Sequence, residues 1–411
     1  KDNLNLQTDS ASHLTISSTG VLSVNPGGTY PVVVGVGNRS SPNGLNLAVG
    51  TGALAAVTAD YNVAIGYNAL NACTTSGWNT AVGHGSMALT TTQSGAPNYA
   101  QYNAALGYET LYNMIHGSGG NVALGHKAGR GMTTGMGTTF IGMQSGDGGV
   151  ATGGNNTCVG YNTSRSLTTG VGTVSLGAYA GMNLTDGSNN HCLGYLAGLS
   201  MTSADDCVAI GTQALYLNVS ADDNVAIGFQ SLYNATNVTN TAVGSYAGHW
   251  TSTGYDNTYL GYYAGNAVSP FTGHNNTLIG NSAAPAAVGT NDSITLGNTA
   301  ITSLRCYSAL TDLSDERDKT DIQDFGMGLG FVRRLRPVRF EWNMRDGGKV
   351  GIPGAGFIAQ ELQQAQADEG KTIPNLILDE NPDKLEAAIT TLIPALVQAI
   401  QELDEKVEAL T

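Results

Sequence analysis

From Asn46 onward the chain repeats one short pattern: a polar residue, any residue, a small residue, an aliphatic residue and a glycine. Copies include Asn46-Leu47-Ala48-Val49-Gly50, Asn62-Val63-Ala64-Ile65-Gly66, Asn121-Val122-Ala123-Leu124-Gly125, Asn224-Val225-Ala226-Ile227-Gly228 and Asn276-Thr277-Leu278-Ile279-Gly280. The closing glycines stand at residues 50, 66, 83, 107, 125, 142, 160, 177, 194, 211, 228, 244, 261, 280 and 297. Their intervals run from 16 to 19 residues, 17 being commonest, with one longer step of 24 between Gly83 and Gly107. Fifteen copies at that spacing exclude chance and mark a solenoid or array. Two short strands and two turns fit within about 17 residues, whereas a helix and a strand do not fit comfortably. The aliphatic residue, Val49 or Ile65 for example, is expected to point into a narrow core. Glycine follows because the chain must turn with positive φ or pass close to another backbone. A second small pair often comes next, as in Ala69-Leu70, Ala128-Gly129 and Ala247-Gly248. Each turn offers little apolar surface, so three chains are expected to share one core. Stacked at about 4.8 Å, the turns would make a rod of roughly 70 Å.

The flanks read differently. Residues 1–45 alternate in short apolar bursts (Leu4/Leu6, Leu14/Ile16, Val21-Leu22-Val24, Val32-Val33-Val34) between Gly-, Ser- and Asn-Pro-rich turns, which predicts short strands in an N-terminal β segment or linker. The repeats fill residues 46–297. Residues 298–313 read as a connector with strand-like stretches at 301–304 and 307–310. In residues 314–411, Phe325, Leu329, Val332 and Leu335 recur at helical spacing, predicting a helix to about Arg334 that Pro337 ends. Val338, Phe340 and Trp342 alternate as a strand, residues 354–356 suit a turn, and residues 360–367 suit a short helix. Thr390 or Thr391 is expected to cap the last helix, with Pro394 in its first turn. There Leu392, Leu396, Ile400, Leu403, Val407 and Leu410 form a heptad seam with one stutter, a coiled-coil signature.

Composition sharpens this picture. Glycine supplies 56 of 411 residues, about double the usual share, and charged residues only 12%, about half of it. That profile suits tightly turning repeats better than an enzyme with an open cleft. The formal net charge of -14 argues against a nucleic-acid partner. Residues 1–313 carry 6 Lys+Arg and 13 Asp+Glu, against 11 and 18 in residues 314–411. Cys73, Cys158, Cys192, Cys207 and Cys306 are scattered without a Cys-x-x-Cys, so neither a disulfide framework nor a zinc site is indicated. The seven histidines show no close pairing, and no metal site or cofactor is expected. Without an apolar run of 18 residues or a signal peptide, no membrane insertion is expected. The chain starts at Lys1 rather than Met, so it is expected to be the C-terminal part of a longer protein.

Candidate chemistry lies where the glycine-rich array gives way to the charged segment, at Leu313-Ser314-Asp315-Glu316-Arg317-Asp318-Lys319. A serine needs a base to become a nucleophile, and a desolvated lysine can serve. Alone, a serine and a lysine five residues apart usually mean a solvated turn. The residues downstream add weight: Gly328-Leu329-Gly330-Phe331 running into Arg336-Pro337-Val338-Arg339-Phe340-Glu341-Trp342, then Gly356-Phe357-Ile358-Ala359-Gln360-Glu361-Leu362, then Leu392-Ile393-Pro394-Ala395-Leu396. In this order the segments resemble the endosialidase-type intramolecular chaperone domain, the self-cleaving C-terminal trimerisation module of phage tail spikes and fibres. The resemblance covers residues 314–411, about a quarter of the chain. It implies cleavage between Leu313 and Ser314, by an N-to-O acyl shift onto the Ser314 hydroxyl and hydrolysis of the ester. Lys319 would act as base where burial disfavours its charged form, and Asp315 and Arg317 would orient or polarise. A carboxylate-assisted route stays open. The activity so implied is a single-turnover Ser-Lys peptidase with no external substrate.

The fold class expected is therefore mainly β: a trimeric β-solenoid or β-roll rod of about 17-residue repeats, then a small α+β chaperone domain (residues 314–411) ending in a coiled-coil helix. The repeats are also similar to the Asn-x-Ala-Ile-Gly repeats in the heads of trimeric autotransporter adhesins, which are left-handed β-rolls of shorter period. The function implied is a virion tail fibre: a homotrimer, made in the host cytoplasm, joined to the rest of the tail through its missing N-terminal part. It would bind a host cell-surface glycan or protein. The long step between Gly83 and Gly107 adds about seven residues within 90–102, including Pro97, Tyr99 and Tyr102. Tyrosine gives flat, amphipathic contact at low entropy cost, so Tyr99 and Tyr102 are the receptor candidates; a tolerated surface insertion is the alternative. A glycan-degrading tailspike would need two carboxylates about 5–10 Å apart in a cleft, and residues 1–313 are poor in acids. A bacterial trimeric surface adhesin would need a secretion signal and a membrane anchor.

Overall fold

The structure, a computed structural model, describes residues 4–8, 12–16, 22–25, 32–36, 45–56, 58–89, 100–115, 118–307, 314–345 and 347–410. The chain divides into one unit of residues 1–284 with 291–295 and a second of residues 285–290 with 296–411.

In the first unit, strands Leu4–Thr8, Ser12–Ile16, Leu22–Asn25 and Val32–Val36 pair antiparallel in chain order. The last of them pairs antiparallel with Leu47–Val49. From there the pairing turns parallel. Each three-residue strand lies beside its counterpart one repeat on: Ala48 opposite Ala64, Ala64 opposite Ala81, and so on to Tyr259 opposite Leu278. The repeats thus wind into a parallel β-solenoid of 14 turns, and equivalent residues of successive turns stack in columns.

The face turned inward is the opposite of the one expected. From Leu47–Val49 to Thr277–Ile279 the middle residue of each three-residue strand is buried: Ala64, Ala81, Ala123, Cys192, Ala209 and Ala226 all lie in the core. Its aliphatic neighbours point outward, and Ile65, half of the expected core pair with Val49, is 37% exposed. Successive side chains of a strand alternate in direction, so one residue of three faces in, and the narrow interior admits a small one. Leucines and methionines from the second half of each turn complete the filling: Leu54, Leu70, Met87, Leu111, Leu215 and Leu232 are buried. Each fully buried leucine contributes about 1.5–3 kcal/mol. The core closes within one chain and is not shared between three.

Volume is balanced turn by turn. Where the inner strand residue grows to Phe140, the facing positions shrink to Gly129 and Gly146; a Cβ there would stand 2.7 and 2.1 Å from the ring. Tyr259 is fitted likewise by Gly248 and Gly265, and its hydroxyl accepts a hydrogen bond from Thr251 Oγ1 at 2.9 Å. The closing glycines form a column of their own. Gly211 has φ +126°, and a Cβ on it would lie 2.5 Å from the carbonyl oxygen of Gly228. Both the left-handed backbone and the close approach demand glycine.

The polar residue that opens each repeat is buried too. Asn62, Asn79, Asn103, Asn121, Asn240 and Asn257 stack inside the solenoid. The Asn240 Oδ1 accepts the Asn257 N–H at 3.2 Å, and Asn257 Oδ1 accepts the Asn276 N–H at 3.0 Å. Side-chain amides of the column donate in turn to backbone carbonyls, Asn240 Nδ2 to Gly254 O at 3.0 Å, or to the preceding asparagine, Asn103 Nδ2 to Asn79 Oδ1 at 3.0 Å. Turn backbone that cannot join the ladder finds its partners here.

The second unit has its own core of Met327, Phe331, Leu362, Ala365, Ile373, Leu376, Leu392 and Ala395. Helix α1, Leu329–Val332, is a single turn rather than the longer helix that the spacing predicts; Phe325 lies outside it. Its first N–H, that of Leu329, is held by the Glu402 carboxylate at 2.9 Å. Strand Val338–Asn343 pairs antiparallel with Val350–Gly356, so residues 354–356 are strand and the turn lies earlier, where Met344 N donates to Lys349 O. Helix α2 is Ala359–Glu369, stopped by Gly370 at φ +66°. Helix α3, Ile393–Glu408, follows a 3-10 turn at Ile389–Leu392. No threonine caps α3: Thr391 Oγ1 donates to Ala388 O instead of accepting a helix N–H. Residues 301–306 form no strand, and residues 308–313 lie outside those described.

Candidate functional site

Three of the four residues expected to carry the chemistry are set by one tight turn. Asp315, extended at φ -70° and ψ 133°, caps the 3-10 turn Glu316–Asp318 by accepting the Arg317 N–H at 2.9 Å. Lys319 closes the turn, its N–H donating to Glu316 O. Reversing the chain in this way brings residue 319 back over residue 314. Lys319 Nζ stands 2.8 Å from Ser314 Oγ and 3.3 Å from the Ser314 carbonyl oxygen. The structure thus joins the serine and the lysine within hydrogen-bond reach, the separation a nucleophile and its base require.

Asp315 and Arg317 pair with each other. Arg317 Nε donates to both carboxylate oxygens at 3.0 and 3.2 Å, and Nη2 donates to Oδ2 at 2.5 Å. The Arg317 side chain beside it, with the Arg317 backbone N–H, holds the Asp315 carboxyl below the usual range, and the carboxylate raises Arg317 in return. Both side chains are exposed, so the pair organises the turn more than it stabilises the fold. Ser314 and Lys319 are exposed in the single chain as well. Leu313, the other side of the expected scissile bond, lies outside the described residues.

Of the two receptor candidates, Tyr99 lies outside the described residues. Tyr102 is 63% exposed and stacks on Trp78, with ring centroids 5.5 Å apart; Trp78 stacks in turn on Tyr61 at 5.2 Å. Sequence reasoning passes over Tyr61 and Trp78, although the signal is present: Tyr61, Trp78 and Tyr102 each stand immediately before the asparagine of a repeat, on three successive turns. Column stacking then makes them neighbours. Among the described residues no group of three or more His, Cys, Asp or Glu could hold a metal ion, and no helix is long and apolar enough to cross a membrane.

Comparison with known proteins bears on the segment that begins at Ser314. Residues 314–371 match the family model described as chaperone of endosialidase, a peptidase family. No curated protein and no solved structure matches the chain. The family match together with the β-solenoid fits a phage tailspike or fibre with a C-terminal chaperone domain. The family points to a self-cleaving chaperone peptidase, and endosialidase-like tail proteins are components of virions.

Proposed function

We propose that this chain is a homotrimeric tail fibre protein for host attachment, and that its C-terminal module brings three chains together and then cuts itself off between Leu313 and Ser314. The observation that carries the reading is the 2.8 Å approach of Lys319 Nζ to Ser314 Oγ, at the first residue of the matching segment. Ser314 Oγ attacks the carbonyl carbon of residue 313, Lys319 takes the hydroxyl proton and passes it to the peptide nitrogen, and the C–N bond breaks so that the nitrogen leaves as the amine of residue 314. Water then hydrolyses the ester. A lysine acts as base only when its ammonium is disfavoured, and burial does that. Both groups are exposed in one chain, so assembly is the event that buries them and starts the reaction. Cleavage is thereby tied to correct trimerisation.

Helix α3 supports assembly. Leu392, Ala395 and Ala399 bury against its own chain. The seam residues Leu396, Ile400, Leu403 and Val407 stay exposed, an apolar strip suited to two further copies. The test is a denaturing gel of full-length chain beside Ser314→Ala and Lys319→Ala. The parent should release a C-terminal fragment of about 98 residues, and each variant should stay whole while keeping its trimer mass by light scattering. Unchanged cleavage in both variants would dismiss the dyad; a monomer mass for the parent would dismiss the homotrimer.

A further inference from the structure

The outward side of the solenoid strands carries two columns of side chains, one on each side of the buried middle residue. The column that follows the middle residue is aliphatic without exception, from Val49, Ile65 and Val82 to Val243, Leu260 and Ile279. The column that precedes it holds Val, Leu, Thr, Ala and one histidine, His191, and no Asp, Glu, Lys or Arg. Several members are well exposed, Leu106 at 49% and Leu260 at 47%. Between the strands, aromatic side chains such as Tyr67, Tyr195 and Tyr262 are exposed as well, and other columns are polar. Thr168, Thr185 and Thr202 stack with their hydroxyls donating to carbonyls of the next turn at 3.0, 3.1 and 3.2 Å.

We propose that this uncharged strand face is where copies of the chain pack on one another along the solenoid. The inference rests on the homotrimer reading and adds the orientation: strand face inward, threonine columns and acidic turns outward. Three features select a second copy as the occupant. First, the face is regular over its whole length, one aliphatic residue per turn at a spacing of about 4.8 Å. A partner that meets it in register over 14 turns needs the same pitch, and another copy has it. Second, residues 1–313 carry 13 Asp+Glu against 6 Lys+Arg, and the turns hold acidic pairs such as Asp205-Asp206 and Asp222-Asp223. Copies of like charge approach most readily on the face that carries none. Third, the size suffices. A face of 14 turns is roughly 65 Å long, and a three-residue strand is about 10 Å wide. The footprint, on the order of 650 Å², is close to the ~800 Å² per partner of a stable interface, before the flanking columns are added. An apolar stripe of this extent left in water would be a liability.

Cross-linking tests the orientation. The parent for the test carries Cys306→Ser, because Cys306 is exposed and the other four cysteines are buried. Single cysteines are introduced on the strand face (Ile210→Cys, Val243→Cys) or outside it (Ser203→Cys), and a short bismaleimide is added. Light scattering reports the mass of each variant beforehand. Covalent dimers should form at least tenfold more from the two strand-face variants than from Ser203→Cys. A trimer that cross-links through residue 203, or through neither face, overturns the orientation and leaves the homotrimer standing. A monomer mass in the Cys306→Ser parent overturns both.

Discussion

The buried asparagine column makes the sharpest quantitative demand on this fold, and Asn240 is the place to test it. Its side chain is fully buried. Oδ1 accepts the Asn257 N–H at 3.2 Å, and Nδ2 donates to Gly254 O at 3.0 Å and Val238 O at 3.1 Å. Asn240→Ala leaves the Asn257 N–H and the Gly254 carbonyl buried without these partners. At about 1–3 kcal/mol for each orphaned group, the loss is about 2–6 kcal/mol. Asn240→Thr should fall between alanine and the parent, because Thr138 and Thr173 hold the same column position in their own turns. Asn240→Asp adds a pH signature. It keeps Oδ1 but sets an oxygen opposite the Gly254 carbonyl, a contact that only a protonated carboxyl tolerates. Its folded pKa is then raised above the unfolded value of about 3.9. The folded state binds the proton more tightly, so stability is fully present below that value and is lost as pH rises through the folded pKa. Urea unfolding followed by circular dichroism measures the cost. Hydrogen exchange around residues 224–257 is needed beside it, because solenoids open turn by turn. An alanine variant with the parent's midpoint and protection, or an aspartate variant whose stability is flat from acid to neutral pH, would refute the reasoning.

Two further outcomes rest on the same columns. Gly211→Ala forces an L residue to φ +126° with its Cβ 2.5 Å from Gly228 O; strain alone costs about 1–3 kcal/mol, and the clash adds to it, so its thermal midpoint should fall well below the parent's in a melting scan. Burial pushes the Cys158 and Cys192 thiols up to about 12, and Cys306 is exposed, so a thiol reagent at neutral pH should label Cys306 alone in the native protein and all five cysteines in denaturant.

The repeat, its period and its parallel stacking are legible because one physical constraint, glycine at each closing turn, prints itself on the sequence. Which face turns inward is not. Ile65 and Val49 are of the types most often found inside proteins, and Ala48 and Ala64 read as spacers between them. In a three-residue strand, however, alternation sends two residues one way and one the other, and the width of the turn decides which set goes inside. That width is a property of the closed coil, visible only once Leu70, Leu215 and their equivalents are seen to fill the remaining space. The exchange of Ala and Leu for Phe140 with Gly129 and Gly146 could have betrayed the interior, since paired changes of volume mark contact. At the site, the spacing of Ser314 and Lys319 is suggestive but insufficient. Their meeting depends on the Asp315 cap and the 3-10 turn, whereas from the sequence Asp315 reads only as an orienting group. In the C-terminal unit Gly354 and Gly356 read as a turn although both lie in a strand, because strand pairing overrides their local preference.

The solenoid also explains why such a chain benefits from an assembly device at its C-terminal end. Most strands of the parallel ladder pair with one about 17 residues away, and bringing those ends together costs about 2.5 kcal/mol of chain entropy plus a constant. A first turn has no neighbour, so it meets that cost without ladder bonds or column contacts. Each later turn meets it against bonds already templated: the Thr241 N–H finds Asn257 O at 2.8 Å, and the Asn257 N–H finds Asn240 Oδ1. Growth is thus favourable only from an existing edge, and the slow step is making one. If the strand faces of three chains must also meet, the nucleus is trimolecular, and tethering the chains at one end raises their effective concentration. The same ladder makes the device dispensable afterwards. The ladder and column bonds of the turns up to residue 284 join one turn to the next, so removing residues 314–411 subtracts none of them. A finished solenoid would therefore keep these bonds if the C-terminal module were removed.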